Sequence, residues 1–365
     1  MFIFVNLFLK SLHVMKILII QQKMIGDVLT SSILFEVLRK QFPNSELHFL
    51  INSHTIPVVT NNPYIDKIIA FTPEIEKSRF LFQRLRKQIF KTNYFMVIDV
   101  YSKLSSAWIS VSSRAKYRLS YFKWYTSILY THTYRKKRKS RTGLGLAIDN
   151  RLLLLQSVLP IDNLKPKPKI FLTKKEINDA QILIKEKEIN TSKKLYMIGA
   201  LGSENKKTYP LKYLAKLLDL IVVEKECTLI LNYIPPQITQ IKNLVNLCKK
   251  KTKEAIRLDV YSKDLRSFLA LTSQCDAVIA NEGGVINMSK ALDIPTFSIF
   301  SPWILKSAWN SFESNGKNKS IHLSDFFPEI YKKHPKFYKN KSIELYEKFT
   351  PDLIIPSIKE FIKNN

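Results

Sequence analysis

Short apolar runs alternate with longer segments of helical period along most of the chain. The run 16–20 is continuously apolar, which is typical of a strand buried on both faces of a parallel sheet. A polar loop follows at 21–28, and apolar residues then recur with helical spacing over 29–41. Pro43 and Asn44 end that helix. The pattern therefore predicts a right-handed strand, helix, strand unit at the start of the fold.

The same alternation continues to the end of the chain. Further strands are expected at 47–51, 67–71, 95–100, 195–200, 228–233, 255–260 and 277–280. Further helices are expected at 80–90, 148–158, 210–224, 236–249, 265–274 and 342–365, the last one broken near Pro351 and Pro356. Strands that alternate with helices favour an α/β fold, and two doubly wound domains facing each other across a cleft is the economical architecture.

The best domain boundary is the extended Pro/Lys-rich stretch 161–170. It separates a first domain, 15–160, from a second domain, 171–335, which a helical segment follows at 336–365. Residues 1–14 are apolar and lack the features of a signal peptide. Two interpretations of this extension stay open: an upstream start codon before Met15, or a short interfacial anchor. No run approaches the ~20 apolar residues that a membrane span needs.

The net charge of +28, from 58 Lys and Arg against 30 Asp and Glu, favours polyanionic partners. Phosphorylated ligands, an anionic membrane face and nucleic acid all fit such a field. A Lys-rich proteome would produce the same surplus without any functional meaning. The stretch 114–141 concentrates basic and aromatic residues, and its run RKKRKSR from Arg135 fits either a nucleic-acid patch or a solvated rim facing an anionic ligand.

The cysteines and histidines do not indicate a metal site. Cys227, Cys248 and Cys275 lie in apolar segments without metal-ligand spacing, and the six His form no array such as HxxxH. Three buried thiols fit a reducing cytosol. We expect them to be core residues.

Three polar loops follow predicted strands, at the edge where open parallel sheets bind ligands. They are 21–28 in the first domain, and 202–209 and 282–287 in the second. In the third loop, Gly283 and Gly284 lie between a strand and a helix. Glycines there let a backbone approach a ligand closely, and free N–H groups at a helix N-terminus suit an anionic diphosphate.

At these three loops the sequence resembles glycosyltransferase family 9, the lipopolysaccharide heptosyltransferases. The stretch MKILIIQQKMIGDVLTSSILFEVLRKQFPNSELHFL resembles the N-terminal signature of that family, with its loop ending in Gly-Asp. KKTYPLKYLAKLL resembles the Lys-x-aromatic-Pro loop and helix, and NEGGVINMSKALDIPTFSIFSP resembles the C-terminal motif. The resemblance runs from about Met15 to Trp309.

The resemblance implies a GT-B fold and an inverting, metal-independent transfer of a sugar from a nucleoside diphosphate, typically ADP-heptose. It implies no cofactor, and the acceptor would be the phosphorylated inner core of a lipid-linked saccharide. Asp27 matches the catalytic base that the family is proposed to use, which would take a proton from the acceptor hydroxyl. The alternative for Asp27 is a helix N-cap, where the carboxylate would bond free N–H groups. The resemblance to this family also implies a cytoplasmic protein that associates with the cytoplasmic face of the inner membrane.

Other residues follow the same resemblance. Lys207 matches the lysine that contacts donor phosphates, and Lys206 beside it leaves that assignment open by one position. Ser203, Gly283 and Gly284 would complete the diphosphate site. The candidate acceptor-binding residues are Lys23, Gly26, Arg114 and Arg118.

The sequence departs from the family motif at two positions. Glu282 stands where Asp is usual, and Asn287 stands where His is usual. Glu keeps the charge, so a contact to a ribose or sugar hydroxyl could survive, whereas Asn cannot carry a proton or a positive charge. A relative with a different donor or acceptor therefore stays open. A non-catalytic basic binding protein is the alternative of another class, with anionic lipid favoured over nucleic acid as its ligand, because the aromatic residues of 117–130 fit a core or cleft wall better than a stacking platform.

Overall fold

A computed structural model describes residues 14–140, 142–161, 163–313, 316–333 and 335–365. The expected N-terminal extension, apart from Val14, lies outside these residues, as do Arg141 of the basic run and Asp162 of the Pro/Lys-rich stretch. The chain divides into two compact units, Met1–Phe171 and Leu172–Asn365. The division falls directly after the stretch expected to link two domains.

Unit 1 is built on a parallel six-stranded sheet with the order β3-β2-β1-β4-β5-β6. The strands are β1 (Lys16–Gln21), β2 (Glu46–Asn52), β3 (Lys67–Phe71), β4 (Met96–Asp99), β5 (Tyr117–Tyr121) and β6 (His132–Tyr134). In the centre, Ile19 of β1 pairs with Phe49 of β2 and with Ile98 of β4. All three side chains are fully buried. This explains why the central strands are continuously apolar rather than alternating.

Helices connect these strands in unit 1. They are α1 (Ile25–Ser31), α2 (Ile33–Gln41), α3 (Pro73–Lys77), α4 (Arg79–Thr92), α5 (Leu104–Ser112) and α6 (Leu146–Leu153). The first helix begins four residues before the expected residue 29. Met24 is extended, and its carbonyl accepts hydrogen bonds from the N–H groups of Asp27 and Val28. Asp27 consequently lies inside the first helical turn.

Strands β5 and β6 lie within the basic and aromatic stretch 114–141, where the pattern did not indicate strands. Leu119, Ser120 and Tyr121 are buried in β5, and they pair with the three residues of β6. Both strands are short, and basic side chains surround them. Their hydrophobic signal is correspondingly weak in the sequence.

Unit 2 is built on a parallel five-stranded sheet with the order β11-β10-β9-β7-β8. The strands are β7 (Lys194–Gly199), β8 (Cys227–Leu231), β9 (Ala277–Asn281), β10 (Thr296–Ile299) and β11 (Asn318–Ile321). The expected strand 255–260 is wrong. A helix extends through Ala255 and the chain turns at 258–259, so only Ile256 bridges to Leu229 and no ladder forms.

The helices of unit 2 are α7 (Lys174–Glu186), α8 (Leu211–Glu224), α9 (Ile238–Leu247), α10 (Lys250–Ala255), α11 (Leu265–Thr272), α12 (Gly284–Ala291), α13 (Lys306–Trp309), α14 (Pro335–Lys339), α15 (Ser342–Lys348) and α16 (Pro351–Asn364). The expected break at Pro356 does not occur, since α16 continues through that residue. The apolar face formed by Ile354, Ile358 and Phe361 packs into the core of unit 2 and holds the helix together across the proline. Among the described residues, no helix is long and apolar enough to cross a membrane.

Candidate functional site

The strand orders locate one switch point in each sheet. The order reverses between β1 and β4 in unit 1, and between β7 and β9 in unit 2. Open parallel sheets bind ligands beyond the carboxyl ends of the strands at such a point. We call that side of each sheet its carboxyl edge. The loops 21–28, 202–209 and 282–287 all follow strands at these two switch points.

In unit 1 the Asp27 carboxylate is held by two cations. Its Oδ1 accepts a hydrogen bond of 3.0 Å from Nη2 of Arg151, and Nζ of Lys23 lies 3.3 Å away. Met24, not Asp27, is the N-cap residue of α1, and within the described part of the chain no helix N–H group donates to the Asp27 carboxylate. The capping alternative is therefore wrong for this side chain.

Arg151 is a member of this site that the sequence did not reveal. It lies on α6, 124 residues from Asp27, and its side chain is only 10% exposed. Its Nε donates to Ser31 Oγ at 3.4 Å, and its Nη1 donates to the Ala147 carbonyl at 3.1 Å. The available signal was an arginine inside an apolar helix, because such a charge needs a partner.

Further cations surround Asp27 on the carboxyl edge of unit 1. Nζ of Lys136 lies 4.2 Å from the centroid of the Tyr121 ring. The residue as a whole is exposed, but desolvation of its ammonium end, and then the charges of Arg151, Lys23 and Lys123, lower the pKa of Lys136 to about 8. Asp27 opposes that shift. The start of the basic run is thus electrostatically coupled to the candidate catalytic carboxylate.

The other acceptor candidates are not all brought together. Gly26 is buried next to Asp27, and its carbonyl accepts a hydrogen bond from Thr30. Arg114 precedes β5, and Arg118 is its second residue, so both belong to the opposite, amino edge of the sheet. Arg118 donates to the carbonyls of Ala115 and Leu129, which is a structural role. The structure therefore groups Lys23 and Gly26 with Asp27, but not Arg114 or Arg118.

In unit 2 the Asn281 side chain ties the two switch-point loops together. Its amide nitrogen donates to the carbonyls of Gly199 and Ala200, and its oxygen accepts from the N–H of Tyr209. Gly202 is needed in the same loop, because a Cβ at that position would lie 2.4 Å from the Lys207 carbonyl oxygen. These contacts fix the loop that carries Lys207.

Glu282 and Lys207 form an incomplete pair at this switch point. The Lys207 ammonium lies 3.8 Å from Oε1 of Glu282 and 5.5 Å from the centroid of the Trp303 ring. Burial raises the pKa of the Glu282 carboxyl, and the charge of Lys207 offsets only part of that shift. Among the residues that the structure describes, none forms a hydrogen bond with Oε1. A buried acceptor without a donor is suited to bind a ligand hydroxyl.

The neighbouring candidates have different surroundings. Nζ of Lys206 donates to the Asn340 side chain at 3.2 Å, away from Glu282. The Lys206 carbonyl accepts from the Ser301 hydroxyl and from Trp303 Nε1. Ser203 is exposed. The structure therefore favours Lys207 over Lys206 beside the glycine pair.

The glycine pair leaves open space at the start of α12. Gly283 has a φ of +143°, which residues with a side chain rarely adopt. Apart from the adjoining backbone, no atom of the described residues lies within 4 Å of a Cβ built on Gly283 or on Gly284. Nδ2 of Asn287 donates to the Gly283 carbonyl at 3.0 Å. The free N–H groups at this helix start can bind an anion, while Asn287 supports the turn.

A cavity of about 340 Å³ lies beside the same helix. It is lined by residues that end β7 and β8 and by Val285 and Met288 of α12. Tyr233 and Tyr261 also line it, with their ring centroids 5.2 Å apart. A mostly apolar cavity with aromatic walls, next to an anion site, has the character of a nucleoside pocket. Sequence reasoning missed it, because its walls come from five separate segments.

A second cavity of about 410 Å³ is lined by Trp303, His322 and Tyr331, among other residues. Burial lowers the pKa of His322 to about 4. Within the part of the chain that the structure describes, no three His, Cys, Asp or Glu side chains are grouped so as to hold a metal ion.

Comparisons with known proteins agree with this geometry. The family model described as glycosyltransferase family 9 (heptosyltransferase) matches residues 82–309. A lipopolysaccharide heptosyltransferase 1 of Campylobacter coli is 26% identical over 317 residues, covering 82% of this chain and 87% of that protein. A putative glycosyltransferase of Haemophilus influenzae is 24% identical over 291 residues, covering 78% and 82%.

Solved structures show the same fold. A family 9 glycosyl transferase from Veillonella parvula aligns with a TM-score of 0.72 and 15% identity, covering 92% of this chain and 97% of that one. The E. coli ADP-heptose lipopolysaccharide heptosyltransferase II aligns with a TM-score of 0.64 and 15% identity, covering 92% and 99%. The expected α/β fold of GT-B type is confirmed, and the chain belongs to glycosyltransferase family 9.

Proposed function

We propose that this enzyme transfers a heptose or a related sugar from a nucleoside diphosphate, with ADP-heptose favoured, to the core of a lipid-linked saccharide. The observation that carries the proposal is the anion site of unit 2, where Gly283, Gly284 and Lys207 surround the start of α12 next to the aromatic cavity. A nucleoside diphosphate needs those two features side by side. ADP is favoured because an E. coli heptosyltransferase that shares the fold has been solved with ADP.

The donor would bind to unit 2. Its base enters the cavity lined by Tyr233 and Tyr261, and its diphosphate accepts hydrogen bonds from the N–H groups at the start of α12. Oε1 of Glu282, which accepts no hydrogen bond from the described residues, accepts one from a hydroxyl of the ribose or sugar. Lys207 and the helix N-terminus offset the charge of the leaving diphosphate. Metal independence and the absence of a cofactor are part of this proposal.

The acceptor would bind to unit 1. Its hydroxyl oxygen forms a bond to the anomeric carbon as the bond from that carbon to the diphosphate breaks. Asp27 takes the hydroxyl proton, and attack on the face opposite the leaving group inverts the anomeric centre. Lys23 and Arg151 hold the Asp27 carboxylate in place for this proton transfer. Lys23, Lys123 and Lys136 bind phosphates of the acceptor.

A different donor or acceptor is the alternative within the same family. The observation in its favour is Asn287, which bonds the Gly283 carbonyl and cannot supply positive charge to the diphosphate. The cytoplasm, at the inner membrane surface, is the proposed place of action.

Thermal stabilisation tests the donor assignment. ADP, GDP, UDP and CDP are each added at saturation in the presence of a chelator. A ligand at 100 times its dissociation constant adds about 2.7 kcal/mol to the free energy of unfolding, which gives a visible shift. We expect a selective shift with ADP. A shift in melting temperature with another nucleotide would assign a different donor. The absence of a shift with any nucleotide would contradict the proposal and favour a binding protein.

A further inference from the structure

The crossover from β5 to β6, residues 122–131, exposes large apolar side chains. Trp124 is 83% exposed and Ile128 is 89% exposed, and Phe122 and Tyr125 are exposed as well. Trp124 stacks edge-on against Tyr125, with ring centroids 5.6 Å apart. A contiguous chain segment that presents Trp, Tyr, Phe and Ile to solvent marks an interaction surface more often than chance exposure does.

Hydrogen bonds and buried side chains hold the exposed segment 122–131 in place. Thr126 is fully buried between the exposed residues, and the Lys123 carbonyl accepts hydrogen bonds from the N–H groups of Thr126 and Ser127. Tyr130 is buried, and its hydroxyl donates to Asp99 at 2.5 Å. The backbone is therefore held in place while Trp124 and Ile128 point away from the core.

The surroundings of the crossover are uniformly basic. The sequence has no Asp or Glu between Asp99 and Asp149, whereas it has eleven Lys and Arg there. Arg135 lies 5.0 Å from the centroid of the Phe122 ring, and Lys136 lies over Tyr121. A field of this sign attracts an extended anionic surface.

We propose that the crossover 122–131, together with the basic segment 135–139, docks on the surface of an anionic lipid bilayer. Trp, Tyr and Phe are the side chains that settle at the boundary between headgroups and acyl chains, and Ile128 adds apolar area there. The Lys and Arg side chains bind the anionic headgroups. Ile128 offers no face for base stacking and Arg135 covers the Phe122 ring, which argues against single-stranded nucleic acid as the occupant.

The docking surface shares residues with the cations around Asp27. Lys123 and Lys136 belong both to the docking surface and to the cations around Asp27. A bilayer bound there lies next to the place where an acceptor hydroxyl must reach Asp27. This link to the acceptor rests on the proposed function, whereas binding to lipid does not.

Flotation with vesicles tests the docking surface. The full chain is mixed with vesicles of phosphatidylcholine alone or with one third phosphatidylglycerol, without nucleotide or acceptor. We expect binding to the anionic vesicles only, weakened by salt, and lowered at least tenfold in Trp124→Ser/Ile128→Ser and in Arg138→Glu/Lys139→Glu. The matched controls, Val223→Ser/Ile343→Ser and Lys216→Glu/Lys242→Glu on unit 2, change binding less than twofold.

Two outcomes would overturn the inference. One is binding of the Trp124→Ser/Ile128→Ser variant to anionic vesicles as tightly as the unaltered chain. The other is the absence of vesicle binding by the unaltered chain at low salt, including the case in which it binds single-stranded RNA instead. An ADP-dependent shift in melting temperature on the same samples separates the two proposals, because the donor site stands whether or not vesicles bind.

Fluorescence quenching provides a measurement that does not depend on a disruptive variant. Trp124→Phe keeps an apolar ring, so the variant should float with anionic vesicles as the unaltered chain does. Brominated acyl chains should quench the tryptophan fluorescence of the unaltered chain at least twice as strongly as that of Trp124→Phe. Equal quenching of both proteins would show that Trp124 does not enter the bilayer and would contradict the inference.

Discussion

Asp27 and Glu282 are carboxylates beside the switch points of the two sheets, yet their surroundings differ. Each lies just after a strand at a switch point and near the start of a helix. Asp27 has two cations within 3.3 Å, one of them the buried Arg151. Glu282 has one lysine at 3.8 Å and, among the described residues, an oxygen without a hydrogen-bond partner. The first carboxylate is held in place by two cations, whereas the second keeps an acceptor oxygen to which a ligand hydroxyl can donate.

The largest expected effect comes from Asp27→Asn. A general base contributes about 10²–10⁴-fold to a rate, so we expect turnover to fall by about a thousandfold. Nucleotide affinity, which depends on unit 2, should be unchanged. Steady-state transfer assays and ADP-induced melting shifts measure both quantities. The control is Asp66→Asn, another ion-paired aspartate of unit 1. If turnover falls less than tenfold in Asp27→Asn, Asp27 is not the general base.

Arg151→Met tests whether Asp27 depends on its buried partner. Removal of one member of a buried ion pair costs about 3–5 kcal/mol, because the remaining charge stays uncompensated. We expect unfolding in denaturant to show a loss of about 3 kcal/mol. Lys193→Met, which breaks an exposed pair with Glu226, should cost less than about 1 kcal/mol. Equal small losses in both variants would mean that the pair does not hold Asp27.

Alanine substitutions at the two glycines distinguish the effect of backbone strain from the effect of filling the space proposed for the ligand. Gly283→Ala places a side chain at a φ of +143°, so we expect a stability loss of about 1–3 kcal/mol. Gly284→Ala meets no strain and no neighbour, but its methyl group occupies the space proposed for the diphosphate. It should keep the melting temperature and weaken ADP binding. Unchanged ADP affinity in Gly284→Ala would show that the diphosphate binds elsewhere.

Lys207→Ala and Lys206→Ala resolve which lysine faces the donor. One lost charge contact of about 1.4 kcal/mol lowers affinity tenfold, and we expect this loss for Lys207 only. Lys206 bonds Asn340, so its removal should change ADP affinity less than twofold. Calorimetric titration with ADP gives both values. The reverse order of effects would assign the role to Lys206.

The smallest expected effect is a pH-dependent gain in stability from Glu282→Gln. The folded pKa of Glu282 is raised, so the folded state binds more protons than the unfolded chain between the two pKa values. The carboxylate therefore destabilises unit 2 above the folded pKa, and this penalty vanishes as the pH falls to the ordinary carboxyl range. Glu282→Gln should raise the melting temperature at pH 8 and lose that advantage near pH 4. A constant difference across this range would contradict the pKa assignment.

The comparison also shows what a sequence can and cannot predict. The central strands and the three loops follow from apolar runs and from polar residues placed after them, since both are local signals. The Gly-Asp and glycine-pair motifs directed attention to Asp27 and Glu282 for the same reason. Arg151 and the cavity between Tyr233 and Tyr261 depend on contacts between distant segments, which no local pattern encodes. Arg114 and Arg118 were grouped by charge alone, and topology places them on the other edge of the sheet.

Direct detection of the product tests the central claim, that this chain transfers a sugar from a nucleoside diphosphate. The full chain is incubated with ADP-heptose and a lipid-linked core acceptor in excess chelator, and the acceptor is analysed by mass spectrometry. We predict an acceptor that carries one added heptose with the unaltered chain, and none within the same time with Asp27→Asn. An unmodified acceptor with ADP-heptose and with every other nucleotide sugar tried, from a chain that still binds nucleotide, would contradict the account.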